Sequence, residues 1–114
     1  MKKRFRITRS KDFKRVKEKG AILRHQLLIL IYAERINLPS RMSAVASKSV
    51  GKAVKRNLIK RRIRACLTSR LNNIKPGWDL VFFSRSKITN ATYEEICCAV
   101  EHLLRKADVW QENA

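Results

Sequence analysis

An excess of positive charge constrains this chain more than any other feature of its sequence. Lysine and arginine number 27 against 9 aspartate and glutamate residues, which gives a formal net charge of +18 over 114 residues. So much like charge opposes a compact fold unless the cations lie on the surface and a polyanion neutralises them. A phosphate backbone is the commonest such polyanion, and the release of its condensed counterions would drive binding. The sequence therefore predicts a folded domain with an anionic partner, for which anionic lipid is the rival candidate.

Apolar residues indicate that this charge sits on a folded domain and not on a disordered tail. They make up 45% of the chain and fall in separate blocks. A chain of 114 residues is long enough to bury a modest core as one domain. We therefore expect residues 1–114 to form a single RNA-binding domain, with flexible ends near 1–9 and 110–114.

The order of the blocks predicts an α+β fold, with helices packed on a small mixed sheet in the order α-β-β-α-β-α. Strands are expected over 27–33, 42–47 and 78–84. A first helix is expected over 11–19, capped by Ser10, and a long helix over 51–71. The last helix begins where Thr92 and Glu95 have the spacing of a capping box.

Cysteine and histidine spacing gives no sign of a metal site or a disulfide framework. Cys66, Cys97 and Cys98 are odd in number and two are adjacent, so we expect reduced thiols in the core or at its boundary. His25 and His102 have no second ligand at a useful spacing. Paired carboxylates beside a nucleophile are also missing, so no catalytic residue and no metal ligand are predicted.

The sequence predicts no membrane segment. The apolar run 21–33 is interrupted by Arg24 and is too short to cross a bilayer. The basic start of the chain is not followed by the apolar stretch of a secretory signal. We therefore expect a cytoplasmic location.

The most informative segment is 47–64, SKSVGKAVKRNLIKRRIR, where cations crowd onto the long helix. At roughly 100° per residue, one arc collects Asn57, Lys60, Arg61 and Arg64 beside an apolar stripe. An arginine fork can bind two phosphate oxygens, while an asparagine can bond to a base or a 2′-hydroxyl. Free N–H groups at the helix start, near Lys52, would add an anion site. A merely solvated basic face remains the alternative at this point.

The segment GKAVKRNLIKRRIR closely resembles the signature helix of the bacterial ribonuclease P protein family, written as RNR followed by KR and a further Arg. The resemblance covers nearly the whole chain, through Phe13, the strand 27–32, Ser47-Lys48, Arg56-Asn57, the segment 80–85 and Thr92-Tyr93-Glu94-Glu95 in that order. Leu58 stands where the family has the second Arg of its triplet. Lys17 and Leu30 stand where aromatic residues are common, which shifts the expected binding toward electrostatics.

The resemblance implies a fold with a left-handed β-α-β crossover and assigns two RNA-binding surfaces. The catalytic RNA would dock on Arg56, Asn57, Lys60, Arg61 and Arg64, with Lys52 beside them. The single-stranded 5′ leader of precursor tRNA would lie in a cleft lined by Phe13, Lys17, Lys48, Arg85 and Lys87. A core contact for Phe13 and plain solvent exposure for Lys87 are the alternatives.

By the same resemblance, the chain is the protein subunit of an endoribonuclease whose catalytic centre is in its RNA. Its partners would be the catalytic RNA subunit and precursor tRNA, with no obligate protein partner and no membrane. The cofactor implied is Mg²⁺, bound mainly by the RNA subunit and the substrate. A small basic ribosomal protein or RNA chaperone, which would share the charge but have no leader cleft, is the competing hypothesis.

Overall fold

The computed structural model describes residues 3–112, in which three helices pack on a four-stranded sheet. The elements in chain order are α1 (Ser10–Lys19), β1 (Ala21–Arg24), β2 (Leu28–Glu34), β3 (Arg41–Ala46), α2 (Ala53–Thr68), β4 (Trp78–Ser84) and α3 (Tyr93–Lys106). The expected α+β class is confirmed, but the predicted order lacks one strand, β1. That strand lies at a sheet edge and has the sequence AILR, which belongs to the apolar run 21–33. No Gly or Pro in this run marks the turn at 25–27 that separates β1 from β2.

The sheet has the order β1-β2-β4-β3. The pairs β1–β2 and β2–β4 are antiparallel, whereas β3 and β4 are parallel and are joined through α2. A parallel pair needs such a crossover connection, which here carries the basic helix along one side of the sheet. The left hand of this crossover stays a prediction from the family resemblance.

The two faces of the sheet bury different sets of side chains because successive residues of a strand point to opposite sides. Leu28, Leu30 and Phe82 pack with α2 and α3 in the larger core. The other face packs against α1 in a smaller cluster that includes Val16 and Val81. Since α1 is a single short helix, it leaves part of this second face uncovered.

The helix signals in the sequence are confirmed in part. The apolar stripe of α2, expected beside the basic arc, is buried. Its residues are Ile59, Ile63, Cys66 and Leu67. The capping box of α3 is present, because Glu95 N donates to Thr92 Oγ1 at 3.1 Å and Thr92 N donates to Glu95 Oε1 at 2.9 Å. The predicted cap of α1 is wrong, since Ser10 is the first helical residue and no side chain caps that end.

The expectation of reduced thiols is wrong for one pair, because the Sγ atoms of Cys66 and Cys97 are bonded to each other. Cys66 lies on α2 and Cys97 on α3, and their Cα atoms are 5.3 Å apart, within the usual range for a disulfide. Sequence spacing could not show this, since the pairing depends on how two helices pack on the sheet. Cys98 is exposed and free.

Both ends of the described chain are held by the fold further out than predicted. Ile7 is buried, and its N–H donates to Met42 O at 3.1 Å, beside an isolated bridge between Arg6 and Met42. At the other end Trp110 forms a bridge with Ile74. The predicted flexible ends 1–9 and 110–114 therefore include packed residues, and positions 1, 2, 113 and 114 lie outside the described residues.

Candidate nucleic-acid interface

The basic residues of α2 form an open groove along the helix, which we call the α2 groove. It encloses about 470 Å³ and is lined by Val54, Asn57, Lys60, Arg61 and Arg64. The last four have the spacing i, i+3, i+4 and i+7, which places them on one side of a helix. The structure thus brings together four of the six residues predicted for docking of the catalytic RNA.

The other two predicted residues lie outside this groove. Lys52 is the N-cap residue of α2 and is exposed, and no side chain caps this end of the helix within the described residues. Arg56 is half-buried, and its Nε–H is buried without an acceptor among residues 3–112. Both cations therefore flank the α2 groove near the helix start, where the free N–H groups of the first turn add positive potential.

Arg64 is close to a second cation, Arg6, which comes from the N-terminal part of the chain. Burial, together with the positive charge of Arg6, lowers the pKa of Arg64 below its ordinary value. A guanidinium stays protonated under such a shift, so the two like charges repel in the free protein. A bound anion would relieve this repulsion.

An apolar side chain, Val54, lines the α2 groove, whereas Leu58 does not. Leu58, which replaces the second Arg of the family triplet, is half-buried. Val54 is 83% exposed and stands among the cations of the groove. Exposed apolar side chains within a polar surface often mark a contact site.

A second concave surface, the sheet cleft, lies on the face of the sheet that α1 covers only in part. It encloses about 640 Å³. Ile29 and Ile31 of β2 and Phe83 of β4 form its floor, and Ile29 pairs with Phe83 across the strands. Lys17 holds its ammonium 5.4 Å from the centre of the Phe83 ring, which is a cation–π distance. An aromatic floor with a cation above it suits the stacking of an unpaired base.

Two of the five residues predicted for leader binding line this cleft: Lys17 and Arg85. Phe13 does not line the cleft; it is half-buried and packs against the smaller cluster, as Phe83 does too, so its leader-binding role stays a prediction beside the alternative of a core contact. Lys48 and Lys87 are exposed and do not line the cleft, although Ser47 and Ser49 on either side of Lys48 do.

Sequence reasoning missed the aromatic residue that the cleft does present, Phe83, and also the cation Arg24 at its edge. The apolar run from Val81 to Phe83 hides the alternation, because two of its side chains are fully buried on opposite faces. The segment 28–31 is apolar at every position, so it does not indicate which face is open, and the partial burial of Ile29 and Ile31 is visible only in the structure.

Hydrogen bonds fix the wall of the cleft at the ends of β3 and β4. Ser47 N donates to Ser84 Oγ at 3.1 Å, and Ser47 Oγ donates to Ser84 O at 3.0 Å. On the other side, Arg85 Nη1 donates to His25 O at 3.2 Å. These bonds hold Arg85 beside the floor, so its remaining donors can meet a ligand in a fixed place.

Between residues 3 and 112 no three His, Cys, Asp or Glu side chains are grouped so that they could hold a metal ion. No helix in this range has the length and the apolar character that crossing a membrane requires.

Comparisons with known proteins agree with one another. A family model described as Ribonuclease P matches residues 1–108. The ribonuclease P protein component of Herpetosiphon aurantiacus is 37% identical over 113 residues, covering 99% of this chain and 92% of that protein. That of Geobacillus kaustophilus is 35% identical over 108 residues, covering 94% and 89%. The solved structure of the Staphylococcus aureus RNase P protein superposes with a TM-score of 0.85 at 28% identity, covering 94% and 98%. The Thermotoga maritima RNase P protein shares the fold, with a TM-score of 0.81 at 23% identity and coverage of 89% and 96%.

Proposed function

Because this chain belongs to the ribonuclease P protein family, we propose that its two concave surfaces bind two different RNAs. The chain is the protein subunit of ribonuclease P, the accessory subunit of an endoribonuclease in tRNA 5′ processing. In the proposal, the α2 groove docks on the catalytic RNA and the sheet cleft holds the 5′ leader of precursor tRNA. The partners are thus the catalytic RNA subunit and the substrate, as the family implies.

The observation that carries this division is the different lining of the two surfaces. Among the described residues, those that line the α2 groove include three cations and Asn57 but no aromatic side chain, which suits a folded RNA recognised through phosphates and ribose. The sheet cleft has Phe83 on an apolar floor with cations around it, which suits an unpaired strand whose bases stack. A general RNA chaperone would have no need of two surfaces with distinct chemistry.

The chain's own contribution to the reaction is binding and orientation. Lys17, Arg24 and Arg85 would neutralise the leader backbone while its bases contact Phe83. Hydrolysis of the phosphodiester is proposed to take place in the catalytic RNA. The Mg²⁺ ions would be held mainly by that RNA and the substrate, because the charged groups that line both surfaces are cations. A cytoplasmic location and the absence of an obligate protein partner belong to the same proposal.

Docking on the catalytic RNA can be tested with Arg61→Ala and Arg64→Ala in assembly assays over a range of salt concentrations. Each change removes one cation from the α2 groove, so the logarithmic salt slope should decrease in magnitude by about one unit. Affinity for the catalytic RNA should fall in both variants. Unchanged assembly in both would rule out the α2 groove as the docking surface.

Leader binding can be tested separately with Phe83→Ala, using Phe13→Ala as the matched control. Phe83→Ala should leave assembly intact and weaken binding of precursor tRNA with a long leader, with little effect on leaderless tRNA. Phe13→Ala also removes a half-buried phenyl ring that packs against the smaller cluster, but this ring does not line the cleft, so any effect should be equal on the two tRNAs. An equal effect of Phe83→Ala on both tRNAs would contradict the leader cleft.

Copurification separates the proposal from the ribosomal alternative. A ribosomal protein should remain with ribosomal subunits in salt-washed gradients. The proposal requires the chain to travel with one structured RNA and to restore precursor cleavage at low Mg²⁺.

A further inference from the structure

A third concave surface lies at the end of the sheet where β2 ends and where β3 and β4 begin. It encloses about 670 Å³ and is lined by six arginines, Arg4, Arg6, Arg9, Arg15, Arg35 and Arg41. We call this surface the arginine basin. Neither the α2 groove nor the sheet cleft shares any of these residues.

One buried carboxylate organises the inner part of the basin. Asp79 is fully buried, and its two oxygens accept hydrogen bonds at 2.9 Å from Nε and Nη2 of Arg41. Arg15 also donates to it from Nη2, and Arg35 Nε is 4.0 Å away. Arg41 reaches Asp12 as well, at 3.2 Å. Arginines from three parts of the chain are thus fixed around one anchor, which limits the entropy that a ligand would have to remove.

The outer part of the basin has cations with unused hydrogen-bond donors, and the Arg4 guanidinium lies 4.8 Å from the centre of the Phe5 ring. Arg4 and Arg9 are exposed, and within residues 3–112 no hydrogen bond or ion pair joins either guanidinium, or that of Arg6, to an acceptor. Six guanidinium groups face three carboxylates, those of Asp12, Glu34 and Asp79, which leaves a surplus of three positive charges. The unused donors and the surplus charge both call for an anion.

The basin adjoins the α2 groove around the edge of the sheet. Arg6 lines the basin and pairs with Met42 on the edge strand β3. Arg6 is also close to Arg64 in the α2 groove. Burial has the larger effect on the pKa of Arg64, and the charge of Arg6 lowers that pKa further. Positive charge therefore continues from one surface to the other, as a polyanion that lies across both would require.

We propose that the arginine basin is a second binding site for the phosphodiester backbone of the catalytic RNA, continuous with the α2 groove. This inference rests on the proposed docking of that RNA on α2. The basin is lined by no aromatic side chain among the described residues, so it offers no platform for stacking a base. Its guanidinium forks bind phosphate oxygens in pairs, so it would position the RNA without reading its sequence.

The test uses the full chain and the catalytic RNA alone, with binding measured over a range of salt concentrations. The double variant Arg4→Gln with Arg9→Gln removes two exposed cations that form no hydrogen bond or ion pair within residues 3–112. Only the contact of Arg4 with the Phe5 ring is lost, so the fold should be little affected. The salt slope should decrease in magnitude by about two units and the affinity should fall. The matched control is Lys19→Gln with Lys106→Gln, which removes the same net charge from exposed helix ends outside all three surfaces.

Equal slopes for the two double variants would overturn the inference. The same would follow if the Arg4 and Arg9 changes weakened binding of precursor tRNA but not of the catalytic RNA. Arg61→Ala, measured in parallel, keeps the two proposals distinct. If it alone weakens binding, the α2 groove stands and the basin fails. If the basin variant alone weakens binding, the basin stands and docking through Arg61 fails.

Discussion

Replacing Asp79 by asparagine should destabilise the fold strongly, although the two side chains have nearly the same shape. Asp79 is 0% exposed and accepts from Arg41 through both oxygens and from Arg15 through one. The amide loses the negative charge and turns an N–H₂ donor toward a guanidinium donor. Arg15 would then lose its carboxylate partner, and Arg41 would keep only Asp12.

The size of this effect follows from the exposure of the partners. Removing one member of a buried ion pair costs about 3–5 kcal/mol. The side chains of Arg15 and Arg41 are 34% and 17% exposed, so water can partly replace the lost acceptor. We therefore expect the lower end of that range, about 3 kcal/mol, or a decrease in Tm on the order of 10 °C.

Urea unfolding followed by circular dichroism measures this loss as a shift in midpoint at constant m. Asp108→Asn is the matched control, because Asp108 is 94% exposed and its pair with Lys75 is 3.4 Å long. Its φ of 61° is one that asparagine tolerates, so the control should change stability by less than about 0.5 kcal/mol. A loss below about 1 kcal/mol for Asp79→Asn, or one no larger than the control's, would refute the anchoring role. Adding Arg41→Gln to Asp79→Asn should recover part of the loss.

Three further measurements address other parts of the fold. Burial and, to a smaller extent, the charge of His102 lower the pKa of His25 below 6.5. The free energy of unfolding should therefore fall as the pH drops below about 6.5, and His25→Gln should reduce this dependence on pH. Gly20→Ala would place a methyl group 2.5 Å from a carbonyl oxygen of α1 and should cost about 1–3 kcal/mol in urea unfolding; equal stability would show that the backbone yields. Reducing the Cys66–Cys97 bond frees a segment of 31 residues and should cost about 3–4 kcal/mol while thiol titration rises from one to three; an unchanged count would mean that no bond had formed.

The sequence was sufficient to predict the α2 groove because a helix fixes which residues share a side. Asn57, Lys60, Arg61 and Arg64 lie within two turns, and their common face does not depend on the rest of the fold. The family resemblance then supplied a role for that face. Its binding role stays a prediction that the assembly assays test.

The sheet cleft could be predicted only in part, because it depends on strand register. Phe13 lies between charged residues and Phe83 lies in an apolar run, but neither local setting shows which ring will line a cleft. The distinction arises when β4 pairs with β2 and Phe83 comes to lie opposite Ile29 on the open face. A shift of the β2–β4 register by one residue would turn Phe83 to the opposite face of the sheet.

The arginine basin and the disulfide are beyond local patterns altogether. Asp79 comes 64 residues after Arg15 and 38 residues after Arg41. Cys66 and Cys97 are separated by 31 residues. Such pairs meet only after the sheet order and the helix packing are fixed, and a single sequence carries no signal of either.

The two-residue repeat of the strands gives the sheet cleft a set of positions of its own. Positions 28, 30 and 82 are fully buried in the larger core, while their neighbours 29, 31 and 83 line the cleft, and 31 and 83 also pack against the smaller cluster. Under the proposed role of the cleft, substitutions at the second set would change which RNA sequences are preferred and would leave the larger core intact. A library randomised at those three positions would therefore need one selection for stability and another for leader binding.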